Sequence, residues 1–158
     1  VIDRKTASLF GASAYIGAKT ATEEKDYSFD AEQFGRLLGR AFQIRDDMLD
    51  FDMSSIGGKG FGNDIKEKKI TLPLIFLLES LNESDRERLL GFIAREDKIE
   101  REIKTLIEAV CESDCLDKSE EEVRHYSLLA KQHLQLLPDN EYRKKLEELT
   151  DYLVLRKL

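Results

Sequence analysis

The chain has 158 residues, of which 41% are hydrophobic and 36% charged, and its formal net charge is -7. This length is sufficient for one domain with a hydrophobic core. The negative charge argues against nucleic-acid binding, because proteins that bind nucleic acids need a basic surface to displace counterions from phosphates. The longest apolar runs are far shorter than the roughly 20 residues of a transmembrane helix. The first residues also lack the pattern of a signal peptide.

The first predicted helix covers residues 2 to about 23 and is rich in alanine, glycine and serine. Such small side chains permit the close approach of a neighbouring helix or of a ligand. The chain starts without a methionine and without a capping residue ahead of its first apolar positions. This start indicates a chain that is truncated inside a helix.

The second predicted helix begins near Asp30, where DAEQ has the pattern of a capping box, and runs to about Asp52. A glycine-rich segment without periodicity, MSSIGGKGFGNDIKEKK, follows and is predicted to be the one long loop. Thr71 and Pro73 then open a short apolar helix, since proline is tolerated in the first turn.

Beyond residue 82 the pattern changes to amphipathic helices with charged outer faces. Two of them are predicted to begin with capping boxes at Ser84 and Ser119. The alternation typical of strands is absent throughout, so the predicted fold is all-α, with about seven helices. We expect a single domain, residues 1–158, with the motifs in residues 1–80 and charged C-terminal helices in residues 81–158.

The two cysteines, Cys111 and Cys115, lie four residues apart in a helical pattern. They are predicted to be buried or half-buried thiols, because no nearby histidine completes a zinc site. In a chain without a secretion signal they indicate a reducing, cytoplasmic environment.

A cluster of carboxylates occurs in FQIRDDMLDFD, residues 42–52. At about 100° per residue, Gln43, Asp46, Asp47 and Asp50 fall within an arc of roughly 100° on the second helix. Like charges at this spacing repel one another unless a cation lies between them. Carboxylate oxygens suit Mg²⁺, which commonly bridges protein acids to substrate phosphates. A solvated acidic face is the alternative interpretation of these acids alone.

The other side of the same helix is apolar. The residues on this side are Phe34, Leu37, Leu38, Ala41, Ile44, Met48 and Leu49. Gly35 and Gly39 instead continue the acidic face toward the N-terminus. We therefore expect the helix to be packed on its back and open on its front.

Lysines close to the acids in the sequence could bind the phosphates that such a magnesium ion would bridge. Lys59 lies among glycines whose backbone can approach a ligand, Lys69 lies just beyond, and the first helix adds Lys5 and Thr6. The segment is not a Walker-type loop, since GxxxxGK[ST] is absent. Taken singly, a glycine-rich loop with lysines is more often only a flexible connection, and a lone lysine near a helix start is usually solvated. Together, acids, lysines and an open apolar strip predict a site for a metal-bound diphosphate with a hydrophobic tail.

Three segments, in this order, carry a family resemblance: RKTASLFGASAYIGA, GRLLGRAFQIRDDMLDFD and GKGFGNDIKEKKITLPLIFLLE. They resemble the C-terminal half of the trans-isoprenyl diphosphate synthases, the polyprenyl synthetase family, and most of all the bacterial octaprenyl and heptaprenyl type. The resemblance implies the C-terminal portion of an isoprenoid-synthase helical bundle. It also implies a prenyltransferase that condenses isopentenyl diphosphate head-to-tail with an allylic diphosphate, using Mg²⁺.

Site residues follow from the resemblance, motif by motif. Asp46, Asp47 and Asp50 match the second aspartate-rich motif of the family, which implies coordination of Mg²⁺ that bridges to the allylic diphosphate. Phe42 and Gln43 match the FQ pair beside the bound isoprenoids.

The cationic motifs are carried over in the same way. Lys5 and Thr6 match the KT motif, which implies a diphosphate contact for the lysine and a place near the reacting carbon for the threonine. Lys59 matches the lysine of the GK loop, and Lys69 a further lysine of that loop. Because the family usually has glycine where this chain has Lys68, either Lys68 or Lys69 is expected to reach the diphosphate.

One part of the family pattern is absent, because the first aspartate-rich motif does not occur in the chain. We therefore expect a C-terminal fragment that is inactive alone, whose partner is the missing N-terminal half of the same enzyme, with a homodimer at full length. Two alternatives remain. One is a non-catalytic, family-derived subunit of a heteromeric prenyl diphosphate synthase, and the other is an unrelated helical module with a solvated acidic face.

Overall fold

The computed structural model describes residues 2–21, 25–52 and 61–155. Every regular element within these ranges is helical, which confirms the predicted all-α fold. A π-helical turn, Asp3–Ala7, is followed by α1 (Ser8–Ala21), α2 (Ser28–Leu49), α3 (Asn63–Lys66), α4 (Leu72–Ser80), α5 (Glu83–Ala94), α6 (Glu100–Glu112), α7 (Cys115–Leu134) and α8 (Glu141–Leu155). None of these helices is long and apolar enough to cross a membrane.

The helices divide into two compact units. The first unit comprises residues 1–45 and 121–157, and the second comprises residues 46–120. The boundaries therefore fall inside α2 and inside α7. The expectation of a single domain stays a prediction.

In the first unit, α1 and α2 are in backbone contact through glycines. A Cβ atom added to Gly35 would lie 2.4 Å from the carbonyl oxygen of Phe10, and one added to Gly39 would lie 2.7 Å from the Cα atom of Ala7. Both glycines are buried. The predicted open strip along this part of α2 is therefore wrong, because the absence of a side chain there is used for helix packing.

The predicted apolar side of α2 is buried from Phe34 to Met48, whereas Leu49 is half-buried, and the part up to residue 45 belongs to the core of the first unit. Phe34, Leu38 and Ile44 are each at most 5% exposed. The buried apolar residues that the C-terminal helices add to this unit are Val123, Ala130, Leu134 and Leu153.

The second unit has a contiguous hydrophobic core of its own. It contains Phe51, Phe61, Ile65, Leu74, Leu77, Ile93, Ile103, Leu106, Ile107, Val110 and Cys115. Cys115 is buried as predicted, whereas Cys111 is exposed, and both are free thiols. The Sγ atom of Cys111 donates to the carbonyl oxygen of Phe51 at 3.3 Å. Partial burial of this sulfur atom, followed by the negative charge of Asp52, raises the pKa of the thiol although the residue as a whole is exposed.

The second predicted helix ends earlier than expected. α2 stops at Leu49 rather than near Asp52. The amides of Phe51 and Asp52 donate to the carbonyl oxygens three residues earlier, both at 3.1 Å, which tightens the chain into a turn. Asp50 therefore lies in this turn, after the helix.

Two predicted helix starts are also corrected. Asn82, rather than Ser84, caps α5, and its Oδ1 atom accepts from the amide of Asp85 at 3.0 Å. α7 begins at Cys115, so Ser119 lies inside the helix and donates to the carbonyl oxygen of Cys115 at 2.7 Å. Serine inside a helix commonly bonds back to the preceding turn in this way.

Candidate functional site

The predicted residues Thr6 and Gln43 are in direct contact in the first unit. The Oγ1 atom of Thr6, in the π-helical turn, donates to the Oε1 atom of Gln43 at 2.5 Å. The contact of Gly39 with Ala7 allows the two helices to approach closely enough for this bond. Gln43 is only 4% exposed, so the hydrogen bond fixes a buried amide. Lys5, adjacent to Thr6, is exposed.

Phe42, next to Gln43, is partly accessible. Its side chain is 37% exposed, and its ring centroid lies 5.5 Å from that of Phe10 on α1. An exposed aromatic ring beside a second ring offers an apolar surface to a hydrophobic ligand.

An ion pair that the sequence did not predict anchors the turn carrying Lys5 and Thr6. Arg40 on α2 binds both carboxylate oxygens of Asp3, with Nε to Oδ1 at 2.7 Å and Nη2 to Oδ2 at 3.1 Å. These bonds from the Arg40 guanidinium hold the pKa of the Asp3 carboxyl below its usual range. Two-point binding defines the orientation of the turn as well as its position.

Arg45 precedes the first aspartate of the motif and is almost fully buried. It is 3% exposed, and its Nη2 atom donates to the carbonyl oxygen of Val154 in the last turn of α8 at 3.0 Å. A cation at the C-terminal end of a helix interacts favourably with the helix dipole. The two residues lie 109 positions apart, so no local pattern could have predicted the contact.

The first two aspartates of the motif differ in their surroundings. Asp46 is exposed on α2, whereas Asp47 is 7% exposed. Mg²⁺ is usually bound by one or two carboxylates together with substrate phosphates and water. On ligand chemistry, Asp46 and Asp47 fit a magnesium ion of this kind. Within the described residues, however, no three His, Cys, Asp or Glu side chains are grouped to hold a metal ion.

Asp50, the third aspartate, binds backbone amides in the second unit. Its Oδ1 atom accepts from the amide of Asn63 at 2.8 Å, and its Oδ2 atom from the amide of Asp64 at 3.0 Å. Burial raises the pKa of Asp50, and the two backbone hydrogen bonds oppose this effect. These amides open α3, a four-residue helix that lies in the predicted loop and was too short to be recognised from periodicity.

Lys68 and Lys69, of which either is expected to reach the diphosphate, have different environments. Lys68 has a φ angle of 61°, the left-handed conformation that favours glycine, and its Nζ atom pairs with Glu96. The Nζ atom of Lys69 lies 2.9 Å from Asp64 and 2.6 Å from Glu67. Hydrogen bonds to these two carboxylates raise the pKa of Lys69.

Lys59 of the predicted GK loop lies outside the described residues. Lys5, Thr6, Phe42 and Gln43 belong to the first unit, and Asp46, Asp47, Asp50 and Lys69 to the second.

The polyprenyl synthetase family matches residues 1–110 of this chain. The matched range is more than half of the chain and includes all the predicted site residues. The chain belongs to the polyprenyl synthetase family. The recognition made from the three sequence segments is thereby confirmed.

Relatives in this family include enzymes with products of different length. The chain is 32% identical to a short chain isoprenyl diphosphate synthase of Methanothermobacter thermautotrophicus, over 99% of this chain and 48% of that protein. It is 35% identical to a nonaprenyl diphosphate synthase of Mycobacterium tuberculosis, over 99% of this chain and 47% of that protein.

Solved structures of the family have the same fold. A polyprenyl synthase from Caulobacter crescentus, in complex with calcium and isoprenyl diphosphate, is 34% identical and superimposes with a TM-score of 0.82. The match covers 99% of this chain and 48% of that structure. The chain thus spans about half the length of the relatives that it matches.

Proposed function

We propose that this chain is the C-terminal half of a prenyltransferase that condenses isopentenyl diphosphate with an allylic diphosphate to give a polyprenyl diphosphate. The observation that carries the proposal is the family match over residues 1–110, which contains every proposed site residue. The calcium and isoprenyl diphosphate in the Caulobacter crescentus structure support a divalent metal and a substrate of this class.

Each proposed residue has a role that suits its chemistry. Lys5, Lys59 and Lys69 bind diphosphate oxygens, because a lysine ammonium group provides a positive charge and three donors. Asp46 and Asp47 would hold Mg²⁺, for which carboxylate oxygens are preferred ligands.

The uncharged residues Phe42, Gln43 and Thr6 are proposed to contact the hydrocarbon chain and the reacting carbon of the substrate. Phe42 contacts the isoprenoid through its exposed ring face. Gln43 holds the hydroxyl of Thr6 in one orientation. We propose that this hydroxyl lies near the reacting carbon.

The reaction explains why cations and acids are needed together. Cleavage of the allylic C–O bond leaves a carbocation, and the electron pair of that bond departs with pyrophosphate. The double bond of isopentenyl diphosphate then attacks the carbocation, and the proton lost from the new intermediate goes to the departing pyrophosphate. Lysines at the diphosphate stabilise the negative charge as it develops. Magnesium, when bound, neutralises part of the same charge.

We propose a product of the octaprenyl type, on the resemblance of the three segments to the bacterial octaprenyl and heptaprenyl enzymes. The relatives include a short chain synthase and a nonaprenyl synthase at similar identity, 32% and 35%. Octaprenyl diphosphate lies between these two classes and is retained as the proposed product.

We propose that catalysis needs the half of the relatives that this chain does not span, and that the isolated 158 residues are inactive. The physical reason is that cleavage of the allylic C–O bond needs acids with metal ions on both sides of the diphosphate, whereas binding needs only one side, and this chain has one aspartate-rich motif. We also propose a homodimer at full length and a cytoplasmic location. The two free thiols are in keeping with the reducing conditions of the cytoplasm.

A binding experiment tests the proposed site in the isolated chain. Thermal unfolding is followed while Mg²⁺ and a non-reactive allylic diphosphate analogue are added together. Binding to the folded state stabilises it by about 2.7 kcal/mol at roughly 100 times the dissociation constant. We expect such a stabilisation, and we expect Asp46→Asn to abolish most of it.

The control is Asp117→Asn, which removes an exposed carboxylate from α7 at a distance in sequence from the motif. This variant should respond as the unaltered chain does. An absence of stabilisation, or an equal loss in both variants, would exclude the proposed site. Condensation of the two substrates by the isolated chain would contradict the proposal that a second half is required.

A further inference from the structure

The third aspartate of the motif is bound on both oxygens by the protein backbone. The Asp50 carboxylate accepts from the amides of Asn63 and Asp64 at 2.8 Å and 3.0 Å. Hydrogen bonds from backbone amides to a carboxylate are charge-assisted and stronger than those between neutral groups. The two N–H dipoles therefore take one acceptor site on each oxygen of Asp50 and compete with a cation for the charge of this carboxylate.

The segment bound by Asp50 leads directly to Lys69. The Oδ1 atom of Asp64 lies 2.9 Å from the Nζ atom of Lys69, and the amide of Lys69 donates to the carbonyl oxygen of Asp64 at 2.8 Å. Glu67 holds the same ammonium group at 2.6 Å. A continuous set of bonds thus runs from Asp50 through Asp64 to Lys69.

The segment from Gly62 through α3 is also packed against the core of the second unit. Ile65 of α3 is fully buried. The amide of Gly62, at the start of α3, donates to the carbonyl oxygen of Asp50 at 3.2 Å. A Cβ atom at Gly62 would lie 2.4 Å from the Cγ2 atom of Ile103, so the backbone is held against the core of the second unit.

We propose that Asp50 is a positioning residue for Lys69 rather than a magnesium ligand. This inference rests on the proposed function, in which Lys69 binds diphosphate. Asp50 holds the first turn of α3, α3 places Asp64, and Asp64 directs the ammonium group of Lys69. The sequence predicts a third ligand at this position, whereas the donors around its carboxylate match a helix cap.

Amide hydrogen exchange tests the first link without any ligand. Asp50→Asn keeps the shape of the side chain but offers one acceptor instead of two. We expect the amides of Asn63 and Asp64 to exchange about tenfold faster or more, since bonds to charged acceptors contribute about 1.5–3 kcal/mol. The amide of Ile75, bonded to Thr71 in the same unit at 3.0 Å, should remain protected and shows that the unit is still folded.

A titration with Mg²⁺ and inorganic pyrophosphate then separates the two roles of an aspartate. At saturating pyrophosphate, Asp46→Asn should raise the Mg²⁺ concentration at half-saturation about tenfold or more. Asp50→Asn should leave it unchanged. At saturating Mg²⁺, Asp50→Asn should instead weaken pyrophosphate binding by about two- to fivefold, as loss of a partly exposed charge contact does.

Asp64→Asn is the matched variant for the second link. It keeps the backbone amide that binds Asp50 but removes the carboxylate that directs Lys69. It should weaken pyrophosphate binding as Asp50→Asn does, with the Asn63 amide still protected. Neither change should add to the effect of Lys69→Met, because residues that act through one contact are not additive.

The outcomes distinguish this inference from the proposed function. If Asp50→Asn raises the Mg²⁺ requirement as Asp46→Asn does, or leaves the two amides protected, Asp50 is not the positioning residue described. If the unaltered chain binds no pyrophosphate with Mg²⁺, the proposed function fails, and this inference fails with it.

Discussion

Lys68 occupies a backbone conformation that ordinarily belongs to glycine. Its φ angle is 61°, and it is the one non-glycine residue with a positive φ among the described residues. Outside glycine, the left-handed region costs roughly 1–2 kcal/mol because Cβ approaches the carbonyl oxygen. The glycine that the family usually has at this position is therefore explained by the backbone conformation. The ammonium group of Lys68 pairs with Glu96.

We expect Lys68→Gly to stabilise the chain by up to about 1 kcal/mol, since relief of the strain exceeds the added entropy of glycine in the unfolded state. Chemical denaturation measures the change. Lys68→Ala is the control, because it removes the ion pair with Glu96 and keeps the strained conformation. Equal stability of the two variants would show that relief of the strain does not exceed the added entropy of glycine.

The contact between Asp3 and Arg40 makes the stability of the chain sensitive to acid. The pKa of Asp3 is lower in the folded chain than in the unfolded chain, because Arg40 binds the ionised carboxylate. The contribution is therefore complete above the unfolded pKa of about 3.9 and disappears as the pH falls through the folded value. Asp3 is 53% exposed, so the contribution is below about 1 kcal/mol.

Between about pH 4 and pH 2, the melting temperature of the unaltered chain should fall more steeply than that of Asp3→Asn. Thermal unfolding at a series of pH values measures this slope. Arg40→Met removes the other partner and should give the same shallower slope. Identical slopes in all three proteins would contradict a folded-state shift at Asp3.

At the scale of the helices, the contact of α1 with α2 places Thr6 on Gln43. The contact depends on two glycines, and a side chain at Gly35 would meet the backbone at Phe10, which cannot move aside as a flexible side chain does. Gly17 in α1 differs, because a Cβ there would have no neighbour within 4 Å.

Gly35→Ala should destabilise the chain by about 1–3 kcal/mol, the usual cost of forcing extra volume into a packed contact. Gly17→Ala is the matched control and should stabilise by about 0.5–1 kcal/mol, because alanine is the better residue in a helix interior. Denaturant unfolding of both variants measures the two signs. A neutral Gly35→Ala would show that α1 and α2 can separate slightly without loss.

The long amphipathic helices were predictable from the sequence, and their ends were not. Apolar residues at helical spacing identify α2, α6 and α7 over most of their lengths. Asn82 and Ser84 are both good capping residues two positions apart, and local sequence does not distinguish them. The four residues of α3 are shorter than the window that shows a period, so the sequence predicts a loop at this position.

At the scale of the molecule, the first unit has an apolar groove on its surface. The groove has a volume of about 590 Å³ and is formed by α1, α2 and leucines of the C-terminal segment, among them Leu137, Leu146 and Leu149. Leu9 and Leu149 on its edges are 68% and 51% exposed. Apolar surface of this extent lowers the free energy of any contact that removes it from water.

We expect the isolated chain to bind an apolar fluorescent dye in this groove. Leu149→Ser and Leu9→Ser should each weaken dye binding roughly twofold or more, through loss of apolar contact area. Leu128→Ser, which changes an equally exposed leucine outside the groove, is the control. If the control weakens binding to the same degree, the dye does not report on the groove. Fluorescence titration gives the affinities.

The sequence alone determined the class of fold, the position of the apolar side of α2 and the family, because periodicity and motif order are properties of neighbouring residues. The roles of individual contacts were decided by tertiary structure. Asp50 reaches the amides of Asn63 and Asp64 across thirteen and fourteen positions, and Arg45 reaches Val154 across 109. A helical wheel shows the direction in which a side chain points. Only the packed chain shows which group binds that side chain, because the group comes from a distant part of the sequence. For an aspartate, this group decides whether the carboxylate is available to a metal ion.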